Sequence, residues 1–333
     1  AGLFAKALRA QDVKALSVSY PDSFKRTIDI ELLHGGNLAQ KIVRHSWNWL
    51  RRIYWFFKFN TFHFYFGKTL FPRQWDLPLY RLFGKQVIME YLGYDVQLYQ
   101  KSIEKYKYTN VNFYKTKEEN IISDRKKIKR LKYETRYLDR QFVCAPYLSE
   151  FVENSEVLPL GIDISKIPYL PRKYDELEKF NILHAPTHRG NKGTSFIEDA
   201  INRLKEEGYN IDFTIAEKIT HEELMERYKE CDIFVDQVAG GWYGTAAIEA
   251  MALGRPTVCY YKEEYFQYIN FGDKIPIINA DRVTIYDELK KIFNNFYELE
   301  KISERSRQFV EEIHDVNSIA KELIKVYLNC HDN

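Results

Sequence analysis

Gly240-Gly241-Trp242-Tyr243-Gly244-Thr245-Ala246-Ala247-Ile248-Glu249-Ala250-Met251-Ala252-Leu253-Gly254-Arg255-Pro256 runs from a glycine-rich turn into a short helix and out again at a stop. Ala, Ile and Met fill the helix, so it can pack closely against a sheet, and Gly254 offers the left-handed exit before Arg255-Pro256 leads into a strand. Glu249 interrupts this apolar run. Thr245 and Glu249 are four residues apart and share a face, which sets the carboxylate beside the helix N-terminus. There it either accepts hydrogen bonds from the hydroxyls of a bound sugar or pairs with a neighbouring cation for structural reasons. The glycine-rich entrance, and the strand at 232–237 that ends in Asp236 and Gln237, favour the ligand.

A second strand–loop–helix passage lies upstream. Ile182-Leu183-His184-Ala185-Pro186-Thr187 reads as a strand running into His188-Arg189-Gly190-Asn191-Lys192-Gly193, and Ser195-Phe196-Ile197-Glu198 has the form of a capping box. Glycines let the backbone approach a ligand, a helix start offers unpaired N–H groups, and Arg189 and Lys192 can neutralise a diphosphate. The alternative is a solvated turn whose charges face water. No Walker pattern is present, which disfavours a P-loop NTPase.

Outward from these loops the pattern alternates throughout. Strands are expected at 181–187, 212–215, 233–238 and 257–261, helices at 195–207, 221–230 and 245–253, and closing helices at 284–298 and 302–330. The first half carries a helix at 2–10, a strand at 13–20, a long helix at 38–58 and strands at 62–66, 86–91 and 142–145. Short apolar strands alternating with helices specify an α/β protein with doubly wound parallel sheets. Leu158-Pro159-Leu160-Gly161-Ile162-Asp163, with Pro168 and Pro171 after it, marks the boundary between two Rossmann-like domains, 1–160 and 161–333.

Composition agrees. At 333 residues the chain is long enough for two cores, and 45% hydrophobic with 29% charged residues is far from a disordered composition. No apolar run approaches the roughly 18 residues of a membrane-spanning helix. Cys144, Cys231, Cys259 and Cys330 are scattered, with no CxxC pair, so a zinc site and a disulfide scaffold are disfavoured and a cytoplasmic setting is expected. The net charge of +2 conceals an asymmetry: residues 1–160 hold 27 Lys and Arg against 16 Asp and Glu, residues 161–333 hold 22 against 31. A basic first half implies an anionic partner.

The 240–256 segment resembles the donor-binding signature of GT-B glycosyltransferases, particularly family 4 of the bacterial surface-polysaccharide type. Glu249 to Pro256 matches the family's E-A-M-A-x-G-x-P run, Leu158 to Asp163 resembles its L-P-N-G-I-D linker, and Lys192-Gly193 matches its K-G. The resemblance implies two Rossmann-like domains facing across a cleft. It implies a retaining, metal-independent hexosyltransferase that moves a sugar from a nucleotide-diphosphate donor to an acceptor hydroxyl, with no cofactor beyond that substrate. By position, Glu249 would bind the ribose, Arg189, Lys192 and Gly193 the diphosphate, and the amides at Gly244 and Thr245 would add to the anion site. The family's first Glu, eight residues before Glu249, is replaced by Gly241, and Asp236 and Gln237 are the candidates to stand in for it. The family also opens with a strand and a glycine-rich turn that are lacking before Ala1, so a first strand missing from mid-sheet is expected.

On the acceptor side, Phe62-His63-Phe64-Tyr65-Phe66-Gly67 and Leu92-Gly93-Tyr94-Asp95 end two expected strands, and Leu92-Gly93 stands where relatives have His-Gly. His63 and Asp95 are the candidate catalytic residues; otherwise they are a structural histidine and a helix cap. In the helix at 38–58, Val43, Trp47, Leu50, Tyr54 and Phe57 form one stripe, with Lys41, Arg44, Arg51, Arg52 and Lys58 around it. This face either covers a sheet or lies on an anionic membrane surface at the inner face of a plasma membrane. The run Arg125-Lys126-Lys127-Ile128-Lys129-Arg130-Leu131-Lys132 adds positive field. A glycan or lipid-linked phosphate acceptor accounts for both features, and no nucleic-acid motif accompanies the charge. Two rival readings remain: a catalytically silent GT-B glycan- or nucleotide-binding protein, suggested by Gly241, and a CDP-glycerol-type glycerophosphotransferase, suggested by Ala185-Pro186-Thr187.

Overall fold

A computed structural model describes residues 1–21, 28–106, 115–175 and 177–329; Cys330 lies outside them. The chain forms two compact units, one of residues 1–98, 122–161 and 316–333, the other of residues 99–121 and 162–315. The linker at 158–163 contains the 161/162 step between the units, and the described parts of 99–121 and 316–329 group across the 160/161 cut expected from it.

In chain order the first part comprises helix α1 (Gly2–Arg9), strands β1 (Val18–Ser19) and β2 (Ile30–Glu31), α2 (Leu38–Lys58), β3 (Thr61–Tyr65), α3 (Leu77–Leu82) and β4 (Gln86–Tyr91). Helices α4 (Tyr99–Lys105) and α5 (Lys117–Glu134) follow, then β5 (Arg140–Val143) and β6 (Glu156–Val157). Strands β3, β4, β5 and β6 make a parallel sheet in that order, and β1–β2 is a separate parallel pair. Every residue of β4 is buried because helices cover both faces. Val87 packs with Phe56 of α2 and with Leu77 and Tyr80 of α3, whereas Ile88, pointing the other way, packs with Ile319 and Leu323 of the last helix.

The stripe on α2 is not what covers the sheet. Val43, Trp47, Leu50, Tyr54 and Phe57 are between 53 and 68% exposed, and the helix buries Asn48, Arg52, Trp55 and Phe56 instead. The polar pair has local work to do. The Asn48 side chain donates to the Leu33 carbonyl at 2.7 Å and accepts from its amide at 3.2 Å, and Arg52 donates to the Tyr20 hydroxyl at 2.9 Å. The Asn48 bonds satisfy both backbone groups of Leu33, and the Arg52 bond gives the buried guanidinium a side-chain acceptor.

The second unit continues with β7 (Phe180–His184), α6 (Arg189–Lys192), α7 (Thr194–Glu206), β8 (Ile211–Ile215), α8 (His221–Glu230), β9 (Ile233–Val235), α9 (Thr245–Ala252), β10 (Thr257–Cys259), β11 (Ile278–Asn279), α10 (Ile285–Asn294) and α11 (Glu298–Phe309). Its parallel sheet has the order β11-β10-β9-β7-β8. The chain leaves β7 outward to β8 and returns to β9 on β7's other side, so β7 and β9 flank a topological switch point, and open α/β sheets bind ligands at the carboxyl ends of such strands. Ile197, Ile201 and Leu204 of α7 and Leu289 and Phe293 of α10 pack with Ile182, Val235 and Val258 from the strands.

The single closing helix expected at 302–330 is broken. After α11 comes a π-helical turn, Val310–His314, and then α12 (Val316–Asn329), which packs in the first unit. Asp315 is extended, the His314 carbonyl accepts from the Ile162 amide at 2.9 Å, and the buried His314 ring bonds the Tyr243 hydroxyl at 3.1 Å. Partners from distant parts of the chain thus replace the helical hydrogen bonds at the break.

Candidate functional site

The carboxyl ends of β7 and β9 bring together the two loops singled out in the sequence. β7 ends on His184, which is fully buried. Its Nδ1 meets the Val235 carbonyl at 2.8 Å and therefore carries the proton, so its Nε2 accepts from the Thr194 hydroxyl at 2.8 Å. Burial pushes the His184 pKa down, favouring this neutral form. The histidine ties the strand, its neighbour β9 and the start of α7 into one piece, a role that nothing in its sequence neighbourhood signals.

Lys192 closes α6 and forms an ion pair with Asp236, at the end of β9; the Lys side chain is 20% exposed and that of Asp is 0%. The Val238 amide donates to the Lys192 carbonyl at 3.0 Å. Gly193 follows with φ of +73°, and a Cβ there would lie 2.6 Å from Val238 Cγ2. Only glycine allows the two loops this close. Gly193→Ala is expected to lower stability by about 1–3 kcal/mol, read as a fall in Tm relative to Gly208→Ala, where a Cβ meets open space at a similar positive φ.

The remaining predicted residues divide. Gly244 is the N-cap of α9 and no side chain caps the helix, so its first amides, beginning at the exposed Thr245, have no acceptor from a capping side chain. Glu249 lies one turn further along, its side chain 12% exposed, and bonds His221 Nε2 at 2.8 Å. Burial raises its pKa above the ordinary 4.5, against the lowering effect of His221. His221 begins α8 and was not predicted. The Tyr228 hydroxyl donates to the Ala246 carbonyl at 3.1 Å and feels both Glu249 and Asp236, so these two carboxylates belong to one neighbourhood.

Arg189 is already engaged: it donates to Glu217 at 2.8 to 3.1 Å and to Glu198 at 3.2 Å. Binding a diphosphate would require it to change partners. Gln237 is committed to backbone partners. Its amide nitrogen donates to the Trp242 and Tyr260 carbonyls at 3.0 and 2.8 Å, and its oxygen accepts from the Ala239 and Gly240 amides. Two donors and two acceptor sites are thereby used, and Gln237 builds the glycine turn rather than reaching a ligand. Asp236 is held by Lys192. Gly241 has φ of +80° and its Cβ would lie 3.3 Å from the Lys262 side chain, so a glutamate at this position would be strained.

In the first unit, His63 and Asp95 each engage neighbouring groups of the fold. His63 sits mid-strand in β3, with Nδ1 2.8 Å from the Tyr327 hydroxyl of α12 and Nε2 3.4 Å from Glu90 Oε2. Period-two alternation aims it at the covering helix instead of past the strand end. Asp95 accepts from the amides of Leu92 and Gly93, the latter at 2.8 Å, and so organises the turn after β4. Burial raises its pKa, opposed by those amides.

A cavity of about 580 Å³ in the second unit has Val238 and Ala239, which abut Gly193, on its wall, with Tyr260, Tyr261 and Arg282 nearby. None of the predicted donor residues lines it. Among the described residues, no three of His, Cys, Asp and Glu gather where a metal ion could sit, and no helix is long and apolar enough to cross a membrane.

No protein-family model and no curated protein matches the chain. Solved structures do. Sucrose-phosphate synthase from Thermosynechococcus elongatus superposes with a TM-score of 0.64 at 16% identity, covering 98% of this chain and 91% of that one. A glycosyltransferase from Rickettsia africae ESF-5 gives 0.62 at 12%, covering 99% and 94%. HepE from Anabaena, in complex with UDP-glucose, gives 0.59 at 12%, covering 98% and 94%. At these identities the likeness is one of fold, and it is that of the GT-B glycosyltransferases.

Proposed function

We propose that the protein is a glycosyltransferase that moves a sugar from a nucleotide-diphosphate donor to an acceptor hydroxyl. The reading rests chiefly on one arrangement: at the switch point, Lys192 is held by the buried Asp236 one loop away from the uncapped start of α9, with Glu249 a turn further on. Lys192 and the α9 amides would take the diphosphate, and Glu249 would accept the ribose hydroxyls, releasing His221.

In the step itself the bond between the anomeric carbon and the diphosphate oxygen breaks, a bond to the acceptor oxygen forms, and the acceptor proton goes to the departing phosphate. Fixed cationic and amide groups stabilise the charge that grows on that leaving group, so the proposal needs neither a metal nor an enzyme nucleophile. Retention of configuration, a glycan or lipid-linked acceptor of bacterial surface polysaccharide, and a cytoplasmic, membrane-peripheral setting belong to the same proposal. So does the division of labour, with donor binding in the second unit and acceptor binding in the first.

Thermal shift with UDP, ADP, GDP and CDP-glycerol, followed by release of the stabilising nucleotide from its sugar conjugate when acceptor is added, tests it. Stabilisation by one nucleotide diphosphate with turnover is expected; no stabilisation by any of them overturns the reading. Gly241 supports a second reading, a silent nucleotide-sugar-binding protein, because that backbone disfavours the family's first Glu. Binding without turnover is its signature, and preference for CDP-glycerol is that of a glycerophosphotransferase.

A further inference from the structure

The outward face of α2 is unusual for a helix in a water-soluble unit. Eight of its large apolar residues are exposed; Leu38 stands at its first turn, and the other seven are Ile42 and Ile53 beside Val43, Trp47, Leu50, Tyr54 and Phe57. At 100° per residue these seven occupy one continuous face, opposite the buried Asn48, Arg52, Trp55 and Phe56. Arg44, Arg51 and Lys58 recur at intervals of seven and so run in a row along one flank of that face, and the helix contains no Asp or Glu. Lys58 lies 5.2 Å from the Tyr54 ring centroid, so this cation borders the exposed aromatic surface, whereas Arg51 lies 5.1 Å from the ring of the buried Trp55.

The apolar surface continues beyond the helix. Phe57 packs edge-on to Phe83, with centroids 6.0 Å apart, and Phe83 and Leu82 are themselves exposed. Immediately after them, a recess of about 410 Å³ is lined by Arg81, Lys85 and Arg136 together with Asp139, whose carboxylate already accepts the Val87 amide at 2.6 Å.

We infer that this surface docks on an anionic lipid leaflet, with the apolar face of α2 and Leu82-Phe83 entering the acyl boundary. The Arg44–Arg51–Lys58 row and the Arg81–Lys85–Arg136 recess then meet the headgroup phosphates. Charge selects this occupant. A row of cations without a carboxylate on the helix suits a negative surface, Trp and Tyr suit an interface, and an antiparallel second copy would set the cationic row against itself. The inference deepens the membrane setting proposed above and is independent of the donor chemistry.

Co-sedimentation of the full chain with vesicles of phosphatidylcholine alone, or mixed with phosphatidylglycerol, tests it. Binding is expected to the mixed vesicles and to fall with salt. The variant Trp47→Ser/Leu50→Ser/Phe57→Ser should lose roughly tenfold or more of that binding, and the variant Arg44→Gln/Arg51→Gln/Lys58→Gln about fivefold per charge. Both should keep nucleotide stabilisation, because the changed side chains lie away from the donor loops; the serine variant should also keep the parent Tm, whereas the glutamine variant gives up the two bonds that Arg44 donates to the His34 and Gly35 carbonyls at 2.8 and 2.9 Å and should lose a little of it. Absence of binding to the mixed vesicles, or binding undiminished in the serine variant, overturns the inference. So does a parent dimer that the serine variant converts to monomer without any vesicle binding, which would assign the face to a second copy. Loss of nucleotide stabilisation in the parent would overturn the donor reading and leave this one standing.

Discussion

Lys192→Ala is expected to destabilise the protein by about 3–5 kcal/mol and to abolish measurable donor binding. Asp236 is completely buried and its ion-pair partner is Lys192, so removing the ammonium leaves a carboxylate in low dielectric with only the weak thiol donor of Cys259, at 3.8 Å, beside it. The sequence pattern marks Lys192 only as a loop cation, whose loss would weaken binding without affecting the fold; the buried partner changes that expectation. Urea unfolding of Lys192→Ala, Asp236→Asn and the double variant separates the two roles. The double variant should regain most of the lost stability while donor binding stays absent. Full recovery of both would remove Lys192 from the site, and an unaltered unfolding midpoint in Lys192→Ala would refute the buried pair.

The second large effect concerns Glu249. Glu249→Gln keeps the shape but gives up a charged acceptor, and hydrogen bonds to charged groups are worth about 1.5–3 kcal/mol each. Donor affinity should fall by about 10–100-fold, with kcat for bound donor changed less. The pH dependence has a definite sign. Burial holds the Glu249 pKa above 4.5, so its charged form, and donor affinity with it, is lost as pH falls through a value above the ordinary carboxylate range. His221 acts against this rise, hence His221→Ala should move the acid limb of kcat/KM to higher pH, and Glu249→Gln should flatten it. An acid limb that ignores both substitutions would sink the ribose assignment.

Much of this site was legible in the sequence. Strand–loop–helix punctuation located both loops, and the spacing of Thr245 and Glu249 placed the carboxylate beside a helix start. Partners were not legible, because they come from elsewhere in the chain. Asp236 is 44 residues from Lys192, Glu249 is 28 from His221, and the Tyr327 that engages His63 is 264 away. Gln237 shows the same limit locally: a polar residue at a strand end reads equally well as a ligand group or as a turn-builder, and only its four backbone bonds decide.

The amino-acid sequence alone determined the parallel α/β class, the strand–helix alternation from β7 to β10 and the loops at which the second unit's sheet presents its chemistry, but not β2, α3, α4, β6 or β11. Those properties follow from local periodicity, glycine and proline punctuation and caps, which act over a few residues. Tertiary structure alone decided which face of α2 is buried, where the closing helix breaks, which unit α12 joins and which polar groups are already spent on one another. Periodicity defines a face and its polarity, but what that face meets depends on segments brought together only when the whole chain folds.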